Sequence, residues 1–156
     1  MTCLKAGRKI LVRGNGGSAA DAQHFVAELT IRFERERRPL PAICLNANTS
    51  SLTAGANDYG YERVFSRQIQ ALGNKGDVLI AITTSGTSRN ILEALKTATE
   101  QGLHTICLNG RDGGKVTGVT HNIIVLQQNT ARIQESHIAI IHTWCALIDD
   151  AFGDAS

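Results

Sequence analysis

The feature that most constrains this chain is an alternation. Short apolar runs at residues 9–13, 42–46, 77–83, 104–109 and 122–126 are separated by longer stretches with helical periodicity. Most of the short runs are nearly continuous in Ile, Val, Leu, Ala and Cys, as in strands covered on both faces. The longer stretches, at 18–35, 61–72, 88–101 and 133–152, read as helices. The last carries an apolar stripe of Ile133, Ile140, Ile141, Trp144, Leu147 and Ile148. Strand and helix in strict alternation predict an α/β fold built on a parallel sheet. The first helix is expected to open with a capping box, Ser18 to Asp21.

Bulk properties fit that class and exclude others. The 156 residues suffice for one domain with a sizeable core, and 42% hydrophobic with 19% charged residues is ordinary for a globular chain. A net charge of +2 argues against a polyanion-binding surface, so no nucleic-acid partner is expected. The one basic cluster, residues 32–38, is interleaved with acids and reads as a solvated helix end. No apolar run approaches the roughly 20 residues of a membrane span, so no membrane partner is expected either. The beginning, MTCLKAGRKILVRG, has no signal-peptide pattern. The four cysteines, Cys3, Cys44, Cys107 and Cys145, form no CxxC pair or zinc-finger spacing. Cys44 and Cys107 lie in apolar runs and read as reduced core residues, which suits the cytoplasm.

In parallel sheets, ligands sit at the carboxyl ends of strands near the point where strand order reverses. Three loops are therefore of interest. The first, GNGGSAADAQH at 14–24, leaves a strand and opens a helix. It matches neither GxGxxG nor a Walker A loop. It is either a tight turn or a loop presenting backbone N–H groups to an oxygen-rich ligand. The third, Thr83-Thr84-Ser85-Gly86-Thr87-Ser88, crowds five hydroxyls around a glycine at a helix start. Its alternatives are a hydroxyl-rich capped turn and a phosphate cradle; the dipole and donors favour the latter. The second strand leads to Asn57-Asp58-Tyr59-Gly60, a common turn sequence.

His24 and Glu28 stand at i, i+4 and share a helix face one turn past the glycine loop. Such a pair forms a surface contact, holds a divalent metal or does acid–base work. Gln134, His137 and His142 lie on the last helix. Gln134 and His142 are eight residues apart, or about 12 Å along a regular helix. Serving one ion together would take an irregular turn or different copies in an oligomer, and by spacing alone each histidine reads as a packing residue.

Taken together, GNGGSAADAQHFxxE, Asn57-Asp58-Tyr59-Gly60, TTSGTS, Gly113-Gly114 and ARIQESHxxxxH resemble the phosphoheptose isomerases of the SIS (sugar isomerase) family. The resemblance runs from Gly7 to about Phe152. It implies a three-layer αβα sandwich, a flavodoxin-like SIS fold with a five-stranded parallel sheet, as one domain over 1–156. The first strand starts near Lys9, without the helical segment usual before it in the family. The resemblance further implies a homotetramer with sites at subunit contacts. The implied reaction is isomerisation of sedoheptulose 7-phosphate to glycero-manno-heptose 7-phosphate, leading to lipopolysaccharide-core heptose. One zinc ion per subunit is implied at His24, Glu28, Gln134 and His142. Implied substrate contacts are Asn15, Gly16, Gly17, Glu28, Asn57, Asp58, Thr83, Thr84, Ser85, Ser88 and Gln134. In the family's STSG loop the first serine is Thr83 here. Aldose–ketose exchange needs a base at carbon and an acid at oxygen; Glu28 is expected as the base and His142 as the acid. Other SIS proteins bind the bacterial replication initiator or sense sugar phosphates. The initiator-binding relatives lack the acid–base pair that this sequence keeps.

Overall fold

The computed structural model describes residues 1–153. Five strands, β1 (Ile10–Arg13), β2 (Ala42–Cys44), β3 (Val78–Ile82), β4 (His104–Gly110) and β5 (His121–Val125), form one sheet in the order β2-β1-β3-β4-β5. Every pairing is parallel, with Ile10 opposite both Ala42 and Val78. The strand order reverses between β1 and β3, which places a ligand crevice at their carboxyl ends. The helices are α1 (Thr2–Lys5), α2 (Gly17–Thr30), α3 (Thr49–Tyr59), α4 (Val64–Leu72), α5 (Arg89–Glu100) and α6 (Thr130–Phe152), with a 3₁₀ turn at Tyr61–Arg63.

The sheet separates two apolar cores. Ile10, Val12, Ile80, Ile82 and Leu108 face Leu4 of α1, Phe25 and Leu29 of α2, and Ile141 and Ile148 of α6. Leu11, Leu79, Ala81 and Cys107 face Val64, Phe65 and Ile69 of α4 and Ile91, Ala94 and Leu95 of α5. All four β1 residues are buried, which explains the apolar run Ile10-Leu11-Val12; the fourth, Arg13, is a buried charge. Four cysteines are free; Cys44, Cys107 and Cys145 are buried and Cys3 is half-buried. Burial pushes the Cys107 and Cys145 thiols up to about 12.

The structure corrects several sequence expectations. Helix α2 begins at Gly17 with Gly16 as its N-cap and no side-chain cap bond. Ser18 lies inside the helix, where Ser18 N–H donates to the Asn15 carbonyl, so the capping box does not form. The helix ends at Thr30, not near 35. Its last turn is closed from outside: the Arg37 guanidinium donates to the carbonyls of Glu28 and Leu29. The 32–38 segment is therefore not a solvated helix end. Arg37 is 5% exposed and pairs with Asp149 at 2.8 Å. Asp149 also accepts the Glu34 and Arg35 backbone N–H groups, which ties the loop to α6. Two helices, α1 and α3, went unread. In α3 no residue is buried, so its stripe is too weak for periodicity to register.

Candidate functional site

Two glycines shape the first loop. Gly16 has φ 54°, in the left-handed region. At Gly17 the Gln134 amide packs directly against the backbone, where an added Cβ would displace it. The loop is clamped from β2's side by a residue that the sequence reading left unassigned. Asn46 accepts the Gly14 N–H at 3.1 Å and donates to the Gly14 carbonyl at 2.9 Å. Asn15 and Asn90, the latter in the first turn of α5, exchange two amide hydrogen bonds at 2.9 and 3.0 Å.

The hydroxyl-rich loop joins β3 to α5. Buried Thr83 accepts the Gly86 N–H at 3.3 Å, and Ser85 and Thr87 share a 3.0 Å hydroxyl contact. Ser88 is the N-cap of α5 yet makes no side-chain cap bond, which leaves its hydroxyl available to a ligand at the helix start. The Gly113-Gly114 turn backs this loop: the Gly86 carbonyl accepts the Lys115 N–H at 2.9 Å, and Asn109 holds the Gly113 carbonyl at 2.8 Å.

Between the two loops lies a cavity of about 290 Å³. Its wall includes Asn15, Gly16, Gly17, Thr83, Thr84, Ser85, Ser88 and Gln134, together with Thr130, which the sequence reading did not single out. Neutral donors and a helix N-terminus surround it, a surface suited to a phosphate without a lysine.

The ionisable residues form a second group. His24 Nε2 lies 2.9 Å from Glu28 Oε1 and 3.4 Å from His142 Nε2. Phe33 stacks on the His142 ring at 5.5 Å and 29°, and the two histidines meet edge-to-face. Glu28 Oε1 and His142 Nε2, both potential metal ligands, thus lie close to His24 Nε2, an arrangement that a small cation would satisfy. Neighbouring tetrahedral zinc ligands with bonds near 2.05 Å sit roughly 3.3 Å apart, close to these distances. Among the described residues, however, no three His, Cys, Asp or Glu side chains are grouped to hold a metal ion.

The structure thus distributes the expected site residues over three places. The cavity gathers eight of them. The His24–Glu28–His142 cluster lies further along α2 and α6, about 10 Å from Gly17 at 1.5 Å per helical residue. Gln134 stays at the Gly17 end, against the glycine loop. Asn57 and Asp58 lie at the end of α3, exposed and hydrogen-bonded to each other at 2.8 Å, outside the cavity. His137 belongs to the core: fully buried, its Nε2 donates to the Asn109 carbonyl at 2.9 Å, and burial lowers its pKa.

A doubly wound sheet with a donor-lined cavity at the β1/β3 switch and an acid–base cluster beside it describes a sugar-phosphate domain. The SIS domain family matches residues 1–110, and this chain belongs to that family. It is 56% identical over 150 residues to the phosphoheptose isomerase of Campylobacter concisus, covering 96% of this chain and 79% of that protein. It is 58% identical to the phosphoheptose isomerase of Aliarcobacter butzleri, covering 94% and 78%. The solved phosphoheptose isomerase of Neisseria gonorrhoeae superposes with a TM-score of 0.87 at 50% identity, covering 95% and 79%.

Proposed function

We propose that this chain is a phosphoheptose isomerase. It interconverts sedoheptulose 7-phosphate and glycero-manno-heptose 7-phosphate through an enediol, at the entry to heptose biosynthesis. The observation that carries this reading is the His24–Glu28–His142 cluster beside a hydroxyl-lined cavity. The high identity to proteins bearing that name supports it.

In this reading Thr84, Ser85 and Ser88 hold the phosphate, Asn15 and the Gly16–Gly17 backbone meet the polyol, and Thr83, Gln134, Asn57 and Asp58 complete the contacts. The Glu28 carboxylate removes the proton from the carbon beside the carbonyl and returns it to the former carbonyl carbon, so that the base is regenerated. The His142 imidazole hands a proton to the carbonyl oxygen and recovers it as the double bond moves. Phe33 keeps that ring in place. His24, 2.9 Å from Glu28, holds the carboxylate in place. A divalent ion such as zinc, one per subunit, would polarise the carbonyl when bound. The donors for it would be His24, Glu28 and His142, with Gln134, which lies at the Gly17 end of its own chain, supplied by a neighbouring copy.

The functional unit is proposed to be a homotetramer in which the cavity of one copy meets the acid–base cluster of another. The separation of the two groups along α2 and α6 supports this, as do exposed Ile31, Leu126 and Leu147. The reaction belongs in the cytoplasm, where free thiols persist; no helix is long and apolar enough to cross a membrane.

The test is a coupled assay that follows aldose formation from sedoheptulose 7-phosphate. Turnover is expected, and it should disappear in His142→Ala. A pure, folded protein without turnover would sink the proposal.

A further inference from the structure

Arg13 ends β1 directly beneath the glycine loop, and neither the fold nor the proposed chemistry uses it. It is 0% exposed. No carboxylate pairs with it among the described residues. Its Nε and Nη1 have no hydrogen-bond partner there. Its guanidinium lies 3.7 Å from the centre of the Phe65 ring. Burial lowers its pKa to about 9, so it is still a cation at neutral pH. An unpaired buried charge is expensive, and an apolar residue of similar volume would ordinarily be preferred in such a place.

What the cation touches explains its presence. Within the glycine loop, Arg13 Nη2 donates to the Gly14 carbonyl at 3.3 Å and to Asn15 Oδ1 at 3.1 Å. The same oxygen accepts Asn90 Nδ2 at 3.0 Å and the Tyr61 hydroxyl at 3.3 Å. Asn15 Nδ2 spends one of its hydrogens on Asn90 Oδ1 at 2.9 Å, which leaves the other. Asn15 walls the donor-lined cavity on one side and a shallower one with Tyr61 and Arg89 on the other. An amide is nearly symmetric in shape, so only its partners decide which end faces a ligand. Three donors on one oxygen, one of them charged, decide it here.

We propose that Arg13 is a positioning residue. It locks the Asn15 amide so that the free N–H is presented to the polyol of the bound sugar phosphate. This rests on the reading of the cavity as a sugar-phosphate site. A residue kept for this purpose costs stability and contributes binding, the reverse of a structural residue.

The experiment compares wild type, Arg13→Met, Asn15→Ala and the double variant. Sedoheptulose 7-phosphate and inorganic phosphate affinities are measured by calorimetry, with Tm alongside. Arg13→Met is expected to weaken the sugar phosphate roughly 10- to 100-fold, the worth of one charged hydrogen bond. Inorganic phosphate, which engages the hydroxyl loop alone, should change less than about twofold, within the scatter expected of an uncoupled site. Tm should stay level or rise. In the Asn15→Ala background the Arg13 change should add nothing. Tyr61→Phe, at a half-exposed position, should shift sugar-phosphate affinity the same way by less, and it keeps the test alive if Arg13→Met does not fold. Unaltered sugar-phosphate affinity in Arg13→Met, or in Tyr61→Phe should Arg13→Met not fold, overturns the inference. So do additive effects with Asn15→Ala, or parallel loss of Tm and of both ligands. A wild type that binds sugar phosphate without isomerising it defeats the isomerase reading alone; one that binds none defeats both.

Discussion

At the scale of single residues, the hydroxyl loop and the acid–base cluster make separable demands. In its proposed role, losing the Ser85 hydroxyl would leave a phosphate oxygen unsatisfied, at a cost on the order of 1–3 kcal/mol. Ser85→Ala is expected to raise KM with kcat nearly unchanged, as steady-state kinetics will show. Glu28→Gln keeps the shape and removes the proposed base. Turnover should fall on the order of 10²–10⁴-fold with folding intact, and deuterium exchange at C2 of the aldose should vanish. Wild-type exchange in that variant would move the role to His24. Residue identity was legible where chemistry is dense in sequence, as in TTSGTS or the i, i+4 pair His24 and Glu28. It was illegible where contacts are made only by folding. Asn46, Asn90 and Phe33 are far in sequence from the loops and ring they hold, and nothing in their neighbours announces them.

At the scale of elements, the buried Arg37–Asp149 pair governs how α2 and α6 are held together. Burial alone would raise the Asp149 pKa, but the Arg35 and Glu34 N–H groups and the Arg37 guanidinium overcome it and hold the carboxyl below its ordinary value. A lowered folded-state pKa contributes stability that is full above the unfolded value, near 3.9, and is lost as pH falls through the folded value. Asp149→Ala strands the guanidinium and should cost about 3–5 kcal/mol in denaturant unfolding near neutral pH. Its deficit relative to wild type should shrink under acid. A deficit that is constant with pH would show that the pair's charge contributes nothing. This pair also explains the misread end of α2. Periodicity continues past Thr30, but Arg37 takes the last carbonyls and the chain turns away. The central strands and their parallel sense were legible because burial on both faces favours near-continuous apolar runs; β5, more exposed, was legible only from its Ile-Ile-Val run. The register and the strand order were not, since they depend on crossover packing.

At the scale of the whole molecule, the cavity and the cluster lie on the same two helices but about 10 Å apart by helix rise. Sites shared between copies have a direct signature. Ser85→Asp, which repels phosphate, and His142→Ala should each be inactive. Subunits of the two, unfolded and reassembled together, are expected to regain activity; a mixture as inactive as its parts would place each site within one chain. Light scattering on the wild type should report a tetramer. Chelation followed by metal analysis should remove turnover while leaving inorganic phosphate binding intact, because the donor-lined cavity includes no histidine or carboxylate.

The free thiols have a consequence of another kind. Cys107 lies in the core against α4 and α5, Cys145 in the core against α2, and burial pushes both up to about 12. Neither is an effective nucleophile while the sheet stays covered. Each is then an internal clock for its own face. The time an alkylating reagent takes to reach it measures how often that layer lifts. The two faces can be timed independently in one unmodified chain by digesting and weighing the peptides.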